Sequence, residues 1–349
     1  MSAVTLPYAW YADEDVFRLE QERIFEPAWH YAGHVAEAAE PGDYFTTRVG
    51  RIPLVVVRGR DRELRCFVNV CRHRGFEVAQ GCGRRETLQC AYHAWTYDLD
   101  GSLRAAPRSD REPDFPRDEL GLKPAQVGTW GPFVFVNADA EAPPLAETLG
   151  ELPQLVAESG LDLDALAFSR RVDFELEANW KVVAENFLEC YHCAVAHPSF
   201  SAMIDVSPDG YELDSTATFF THRAPVRSNG AMAYDLGANE IAGSQFHLVW
   251  PGITINVMPG RPNISVGPIQ PVDPGRTRRF LDYFFSPGED EGWIVDYLAF
   301  DDQVGAEDRV IVESVQRGVS SGALDSGRLL VSSEKLIVDF ARRVAAALD

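Results

Sequence analysis

Two short segments combine cysteine and histidine at the spacing of metal ligands. The first is Cys71-Arg72-His73; the second, 16 residues further on, is Cys90-Ala91-Tyr92-His93. Two thiolates and two imidazoles can hold a tetrahedral zinc ion. The same four can hold a two-iron, two-sulfur cluster in which histidines replace cysteines on one iron, which raises its potential. Zinc sites of this composition usually pair Cys with Cys and His with His in a small ββα unit. Here each segment offers one of each, among Gly75, Gly81 and Gly83, and that interleaving favours the iron–sulfur cluster. Cys66 and Cys82 fall outside the pattern and read as ordinary buried or loop cysteines.

A second constellation lies between Asn179 and Pro198. On a helix from Asn179 to about Ala194, Glu185, Glu189 and His192 share one face, while Val183, Phe187, Tyr191 and Ala194 lie on another, mostly apolar one. Acids on a helix that looks otherwise buried must be paired or ligated. His197 stands about 140° round a regular helix from His192, too far to share an ion. Pro198 disfavours helical backbone at His197, so a break there can bring the two rings together. Two histidines and one carboxylate form a triad that suits iron(II) and leaves positions open for oxygen and substrate. Glu307 and Asp308 supply acids at what reads as a helix start, where capping and dipole compensation serve equally well as an explanation. A solvated acidic helix with a satisfied histidine is the competing reading of the first segment. A redox pair made by Cys190 and Cys193 fits less well, since such a motif normally opens a helix after a strand.

The elements that must carry these residues follow from composition and pattern. The chain has 349 residues, enough for about two domains. Hydrophobic residues make up 46% and charged ones 24%, which excludes wholesale disorder. A net charge of −21 repels phosphate backbones and anionic membranes, so nucleic acid and membrane surfaces are poor partners. No apolar run reaches the roughly 18 residues of a membrane helix, and Met1 to Asp15 carries no secretory pattern. Six cysteines are too few for a disulfide scaffold, so thiols free for metal in a reducing cytoplasm are expected. Residues 13–30 read as a helical arm. From Gly42 to about Asn137, runs such as Leu54–Val57, Phe67–Val70 and Phe133–Val136 alternate with turn residues, the signature of a small antiparallel β domain. Glu141–Pro144 reads as a linker, and a helical stretch follows to about Ser159. Strands at Thr216–His222, Gln245–Trp250, Ile253–Met258 and Arg279–Phe285 precede helices at Asp301–Val319 and Glu334–Leu348, an α+β arrangement with helices covering an antiparallel sheet.

The run Asn69–Gly75, continued by Cys90–Tyr97 and Leu99–Gly101, resembles the cluster loops of Rieske domains, above all those of the Rieske non-haem iron oxygenases. Two positions depart from that pattern: Ala91 stands where the family usually has Pro, and Ala94 where it usually has Gly. Neither supplies a ligand atom. The resemblance implies a [2Fe-2S] cluster on Cys71, His73, Cys90 and His93, with Arg74 and Trp95 close by. It also implies a mononuclear Fe(II) on His192, His197 and Asp308, with Glu307 as the fallback ligand. It divides the chain into an N-terminal arm over 1–37 that packs on the catalytic domain, a Rieske domain over 38–140 and a catalytic domain of helix-grip type over 141–349. In such oxygenases the cluster of one subunit faces the iron of its neighbour in a homotrimer. Glu189 would then link His93 of a neighbouring subunit to its own His192, and Asn186 would lie near the iron.

This sequence contains neither a Gly-x-Gly-x-x-Gly fingerprint after a strand nor four-cysteine ferredoxin spacing. NAD(P)H electrons would therefore come from a separate flavin or ferredoxin-type reductase, with O2 as co-substrate. Glu189 and the flanking residues resemble the branch that oxidises quaternary ammonium compounds. A trimethylammonium group donates no hydrogen bond and is held by aromatic faces. Phe246, Leu248 and Trp250 share a strand face, and Phe220, Tyr234 and Tyr211 are further candidates for such a cage. An aromatic-ring oxygenase or O-demethylase, and a Rieske electron carrier without chemistry of its own, are the alternatives.

Overall fold

Short runs rich in Val, Phe and Thr form strands that pair antiparallel throughout. The computed structural model describes residues 3–237 and 240–349. It divides into two compact units: Phe25–Leu145, and the chain up to Ile24 together with Ala146–Asp349.

The first unit carries β1 (His30–His34), β2 (Asp43–Val49), β3 (Ile52–Arg58), β4 (Leu64–Val68), β5 (Cys82–Arg84), β6 (Leu88–Gln89), β7 (Thr96–Tyr97), β8 (Leu103–Ala105), β9 (Pro124–Trp130) and β10 (Phe133–Asn137). One sheet runs β1-β10-β9-β4-β3-β2-β5, and β6-β7-β8 form a smaller one. The run Leu54–Val57 is unbroken because both faces of β3 are covered. Leu54 and Val56 join one core with Val134 and Val136. Val55 and Val57 join another, which also contains Cys71, Cys90, Trp95 and Tyr97. The unit begins at Phe25, earlier than the expected boundary at 38, because β1 pairs with β10 through Tyr31↔Phe135 and its neighbours. Residues 25–37 therefore belong with the β-rich unit and not with the N-terminal arm.

The second unit carries β11 (Ala167–Leu176), β12 (Glu212–Ser215), β13 (Phe219–Pro225), β14 (Gly243–Val249), β15 (Ile253–Val257), β16 (Asn263–Asp273) and β17 (Arg276–Phe285). They form one sheet in the order β11-β17-β16-β15-β14-β13-β12. Its helices include α1 (Glu14–Glu20), α2 (Leu145–Leu149, at the border), α3 (Leu152–Glu158), α4 (Trp180–Phe187), α5 (Cys193–Ala196), α6 (Pro198–Met203), α7 (Glu291–Val319) and α8 (Lys335–Leu348). The fold is α+β. Leu281, Tyr283 and Phe285 of β17 share a core with Trp293, Ile294, Tyr297 and Leu298 at the start of α7, which fixes that helix on the sheet. Two long strands escape the sequence pattern. β11 is interrupted by Arg170, Arg171, Asp173 and Glu175, and β16 contains Gly267, Pro268 and Pro271. At Gly267 a Cβ would stand 1.8 Å from the Phe280 carbonyl oxygen, so only glycine permits this approach of β16 to β17. Among the described residues, no helix is long and apolar enough to cross a membrane.

A buried ion pair ties α1 to α4. Lys181 and Glu20 are both wholly enclosed and bonded to each other. Trp180 Nε1 donates to Glu20 at 2.8 Å and Lys181 also donates to the Trp10 carbonyl at 3.0 Å. Removing one partner leaves the other charge stranded. Glu20→Ala is expected to cost about 3–5 kcal/mol in denaturant unfolding, with Glu20→Leu/Lys181→Met regaining most of it. A loss below about 1 kcal/mol for the single variant would contradict this role for the pair.

Candidate metal centres

The two Cys-His segments fold into the same turn. The amide of Cys71 donates to the Phe76 carbonyl at 2.8 Å and its own carbonyl accepts from Gly75 at 3.0 Å; Cys90 repeats both bonds with Trp95 and Ala94 at the same distances. The last residue of each turn is left-handed, with φ of +77° at Gly75 and +57° at Ala94. The departure seen at Ala94 therefore falls where the backbone favours glycine. Both Asn69 bonds to Ala79 pin the first loop, Nδ2 donating at 2.8 Å and Oδ1 accepting at 2.9 Å.

Cys71 and Cys90 are buried and interact, while the rings of His73 and His93, with centroids 4.6 Å apart, are exposed. Burial raises the Cys71 thiol pKa, and the Tyr97 hydroxyl opposes that rise. Tyr97 accepts the Arg72 amide at 3.0 Å, so its own proton is free to serve the Cys71 sulfur 3.3 Å away. Trp95 stacks on His73 at 5.0 Å, and Arg74 lies over Tyr92 at 5.4 Å. Among the described residues, the one group of three or more such donors gathered within 4.8 Å is elsewhere. The four residues of these loops are spread wider than a single zinc ion would need, and two sulfurs inward with two imidazoles outward suit a two-iron cluster. Cys66 is buried in the sheet core and Cys82 is exposed on β5.

The tight group is His192, His197 and Asp308. His192 Nε2 lies 3.1 Å from His197 Nε2 and 3.6 Å from Asp308 Oδ1, and His197 Nε2 lies 3.0 Å from that oxygen. The opposite ring nitrogens are taken. His192 Nδ1 is bonded to Glu189, and His197 Nδ1 to Glu307 at 2.7 Å. A carboxylate at Nδ1 holds the proton there and turns Nε2 into a lone pair. Two such nitrogens and a carboxylate oxygen aimed at one point repel one another unless a cation stands between them, so the donor set fits iron(II). Asn186 Nδ2 donates to the same Asp308 oxygen at 2.8 Å and fixes its direction. The proton affinities report the same convergence. Burial pulls His192 down, but bonds to Asp308 and Glu189 outweigh it and lift the ring to about 9. Burial would raise the Asp308 carboxyl, yet both imidazoles hold it well below the usual range.

Local structure explains the convergence and corrects parts of the sequence reading. The expected helix to Ala194 stops at Phe187. The Glu189 carboxylate accepts from the amides of Tyr191 and His192 and so starts a new turn. Glu185 therefore does not share a face with the triad; it accepts from the Tyr11 hydroxyl at 2.6 Å, towards the N-terminal arm. His197, with φ −120° and ψ 73°, is the break between α5 and α6. Asp308 lies in the middle of α7, which opens ten residues earlier than the expected 301, at Glu291, so capping does not explain it. Glu307 orients His197 and does not join the triad. Cys190 and Cys193, expected as free thiols, are bonded to each other, S–S 1.93 Å.

The triad borders a cavity walled by Phe174, Phe187, Phe200, Tyr211, His222 and Phe246. All but Phe174 form one ring cluster: Phe187–His222 at 5.4 Å, Tyr211–His222 at 5.5 Å, His222–Phe246 at 5.0 Å and Phe200–Phe246 at 6.0 Å between centroids. Burial pulls His222 down to about 3, so this ring is neutral. Of the expected cage residues, Phe246 and Tyr211 line the cavity. Trp250 instead packs on Trp180 and Phe340, Phe220 on Phe340, and Tyr234 on Trp293, Tyr297 and Phe300. They face helix-covered core, a distinction that strand alternation cannot make when both faces are buried. Phe174, Phe187, Asn256 and Arg279 line the cavity without a motif to mark them.

The comparisons with known proteins agree with this geometry. Residues 28–117 match the model of the Rieske [2Fe-2S] domain, and residues 163–349 that of the ring hydroxylating alpha subunit catalytic domain. The carnitine monooxygenase oxygenase subunit of Acinetobacter pittii (strain PHEA-2) is 34% identical over 95% of this chain and 90% of its own length. Choline monooxygenase of Atriplex hortensis chloroplasts is 31% identical over 97% of this chain and 76% of its own. The structure of the quaternary ammonium Rieske monooxygenase CntA with L-carnitine superposes with a TM-score of 0.86 at 31% identity, over 100% of this chain and 96% of that one. Naphthalene 1,2-dioxygenase from Rhodococcus sp., TM-score 0.81 and 20% identity over 99% and 94%, shares the fold. The chain belongs to the Rieske non-haem iron oxygenases. It is an oxidoreductase of the kind that uses a Rieske cluster, a mononuclear iron, O2 and electrons drawn from NAD(P)H.

Two outcomes follow from these sites. Ala94→Gly should stabilise the cluster unit by about 0.5–1 kcal/mol and Gly75→Ala should destabilise it by a similar amount. A Cβ at Gly75 meets nothing within 4 Å, so its cost is purely conformational. Thermal unfolding followed at the cluster absorption measures both, and two silent variants would contradict the shared turn. Asp308→Ala should drop bound iron from about three to about two per subunit with the cluster spectrum intact. Full iron in that variant would remove Asp308 from the ligand set.

Proposed function

We propose that this chain is the oxygenase component that hydroxylates a small quaternary ammonium or N-methylated amine. The carrying observation is the cavity itself: the His192–His197–Asp308 group and a cluster of aromatic faces border one space. Aromatic faces are what a methylated ammonium needs, and a chain of net charge −21 draws cations inward. The names of the carnitine and choline monooxygenase relatives point the same way.

In this reading Cys71, His73, Cys90 and His93 hold the cluster, and His192, His197 and Asp308 hold the iron. Together these supply two electrons, one at a time, and a site for O2. One oxygen atom enters a substrate C–H bond and the other leaves as water, with two electrons and two protons consumed. Hydroxylation of an N-methyl group gives a carbinolamine, whose C–N bond breaks to release formaldehyde and the demethylated amine. Phe187, Phe200 and Phe246 position the methyl groups and exclude water. Glu189 and Glu307 hold protons at His192 Nδ1 and His197 Nδ1, which keeps both Nε2 atoms available. His93 is exposed on its loop, so it can meet Glu189 of a neighbouring subunit, and the assembly is a homotrimer. A separate reductase docks in the cytoplasm to supply electrons.

O2 uptake and formaldehyde release are measured with a surrogate reductase and NADH. The panel holds carnitine, γ-butyrobetaine, glycine betaine, choline and methoxybenzoates. Coupled uptake with an ammonium compound is expected; uptake with the aromatic compounds alone would move the chain to the ring-oxygenase or O-demethylase reading. Glu189→Gln should keep both metals and lose about ten- to a hundredfold in coupled rate, as loss of a carboxylate that orients a ligand does. A near-native rate would remove its bridging role.

A further inference from the structure

Helix α7 carries a second carboxylate to the cavity. Asp301, Gly305 and Asp308 stand at i, i+4 and i+7 and share one face of the helix. All three border the space beside the triad, as does Val304. Asp308 belongs to the triad and Asp301 does not. The rise of the helix sets the two acids about 10 Å apart along its axis. The floor between them is low. Gly305 lies in the interior of a 29-residue helix, where glycine weakens the helix. A Cβ there would meet nothing within 4 Å, so packing does not require glycine. What glycine leaves is open space between the two carboxylates.

Asp301 is held but not satisfied. Its Oδ2 accepts from the Tyr283 hydroxyl at 2.5 Å. Its Oδ1 takes no hydrogen bond among the described residues and is not sealed off, so its surface opens on the cavity. Burial raises the carboxyl pKa, and the bond from Tyr283 opposes that rise. Arg279 of β17 borders the same cavity and opposes it through charge, but no ion pair joins the two among the described residues. A half-buried carboxylate with one open oxygen calls for a cation. Iron on the triad lies two turns further along α7 and does not fill that place. A second metal ion needs several oxygen donors, where Asp301 offers one. A protonated primary amine brings three donors for the same single oxygen. A methylated ammonium needs charge and aromatic faces but no acceptors.

We propose that Asp301 is the counter-ion of the substrate's ammonium group, which sits over Gly305 between Asp301 and the triad. This rests on the quaternary ammonium reading above and adds the charge that complements the rings. The carboxylate draws the nitrogen to one place on α7, and its N-methyl groups then reach the triad. An uncharged compound of the same shape lacks that attraction. Asp301 thereby determines specificity without taking part in oxygen chemistry.

Isothermal calorimetry on the oxidised holoenzyme, with no reductase present, tests this with pairs of equal shape. Choline and γ-butyrobetaine are each compared with the isostere in which a tert-butyl group replaces the trimethylammonium. In the wild type the ammonium member should bind at least about tenfold tighter. Asp301→Asn keeps an acceptor for Tyr283. It should weaken the ammonium member at least about tenfold, hold the isostere within about threefold and leave bound iron unchanged. No weakening, or equal weakening of both members, would overturn the counter-ion and leave the ammonium reading standing. A wild type that prefers neither ammonium compound to its isostere would overturn both. Arsenocholine soaked into wild-type crystals locates the onium centre by the anomalous scattering of arsenic, whether or not the variant folds. A peak within about 6 Å of Asp301 Oδ1 is expected; a peak elsewhere in the cavity would overturn the proposal.

Discussion

His192 and His197 each give one ring nitrogen to a carboxylate, and that pairing is the constraint on which the catalytic unit rests. Glu189 and Glu307 come from opposite sides, one from the turn after α4 and the other from α7. With Nδ1 occupied, each ring has a single orientation and a single free lone pair. Those lone pairs, and an oxygen of Asp308, meet at one point. A rigid platform is needed to hold three such groups against their mutual repulsion. The length of α7, its seat on β17 and the buried Lys181–Glu20 lock behind α4 provide it.

The cluster unit solves a related problem with a repeated turn. Each Cys-His segment folds back so that its cysteine backbone closes on the residues four and five ahead. The sulfurs then sit against the sheet core, where Tyr97 serves one of them, and the imidazoles stay outside. In both sites the candidate ligands are oriented by residues that are not ligands themselves. The wall of the cavity beside the triad comes from neither motif but from rings drawn from α4, α6 and several strands.

The candidate ligands could be picked out in the sequence because they depend on residue type at short range. Cys71, His73, Cys90 and His93 stand in two tripeptide-sized segments, and Pro198 announced the break that returns His197 to His192. The path between them was less legible. The turn at Glu189 is made by a side chain capping backbone amides, a choice that helical periodicity cannot express. Asp308 read as a helix start because the first turns of α7, Trp293 to Phe300, are a short run of aromatic and branched apolar residues that periodicity alone does not tell from a strand; they pack on β17. β11 and β16 were missed since charges and prolines on sheet surfaces hide strand alternation. The cavity wall was the least legible. Trp250, Phe220 and Tyr234 are as aromatic as Phe246, and only tertiary packing decides which of them meets the open space.

The claim that bears most weight is that two imidazoles and one carboxylate present a single iron(II) with open positions. Nitric oxide titrated into the reduced holoprotein examines it directly by electron paramagnetic resonance. One S = 3/2 ferrous–nitrosyl signal per subunit, with nitrogen couplings from two imidazoles, is the outcome this account requires. Absence of that signal in fully iron-loaded protein, or coupling to a single imidazole, would contradict it.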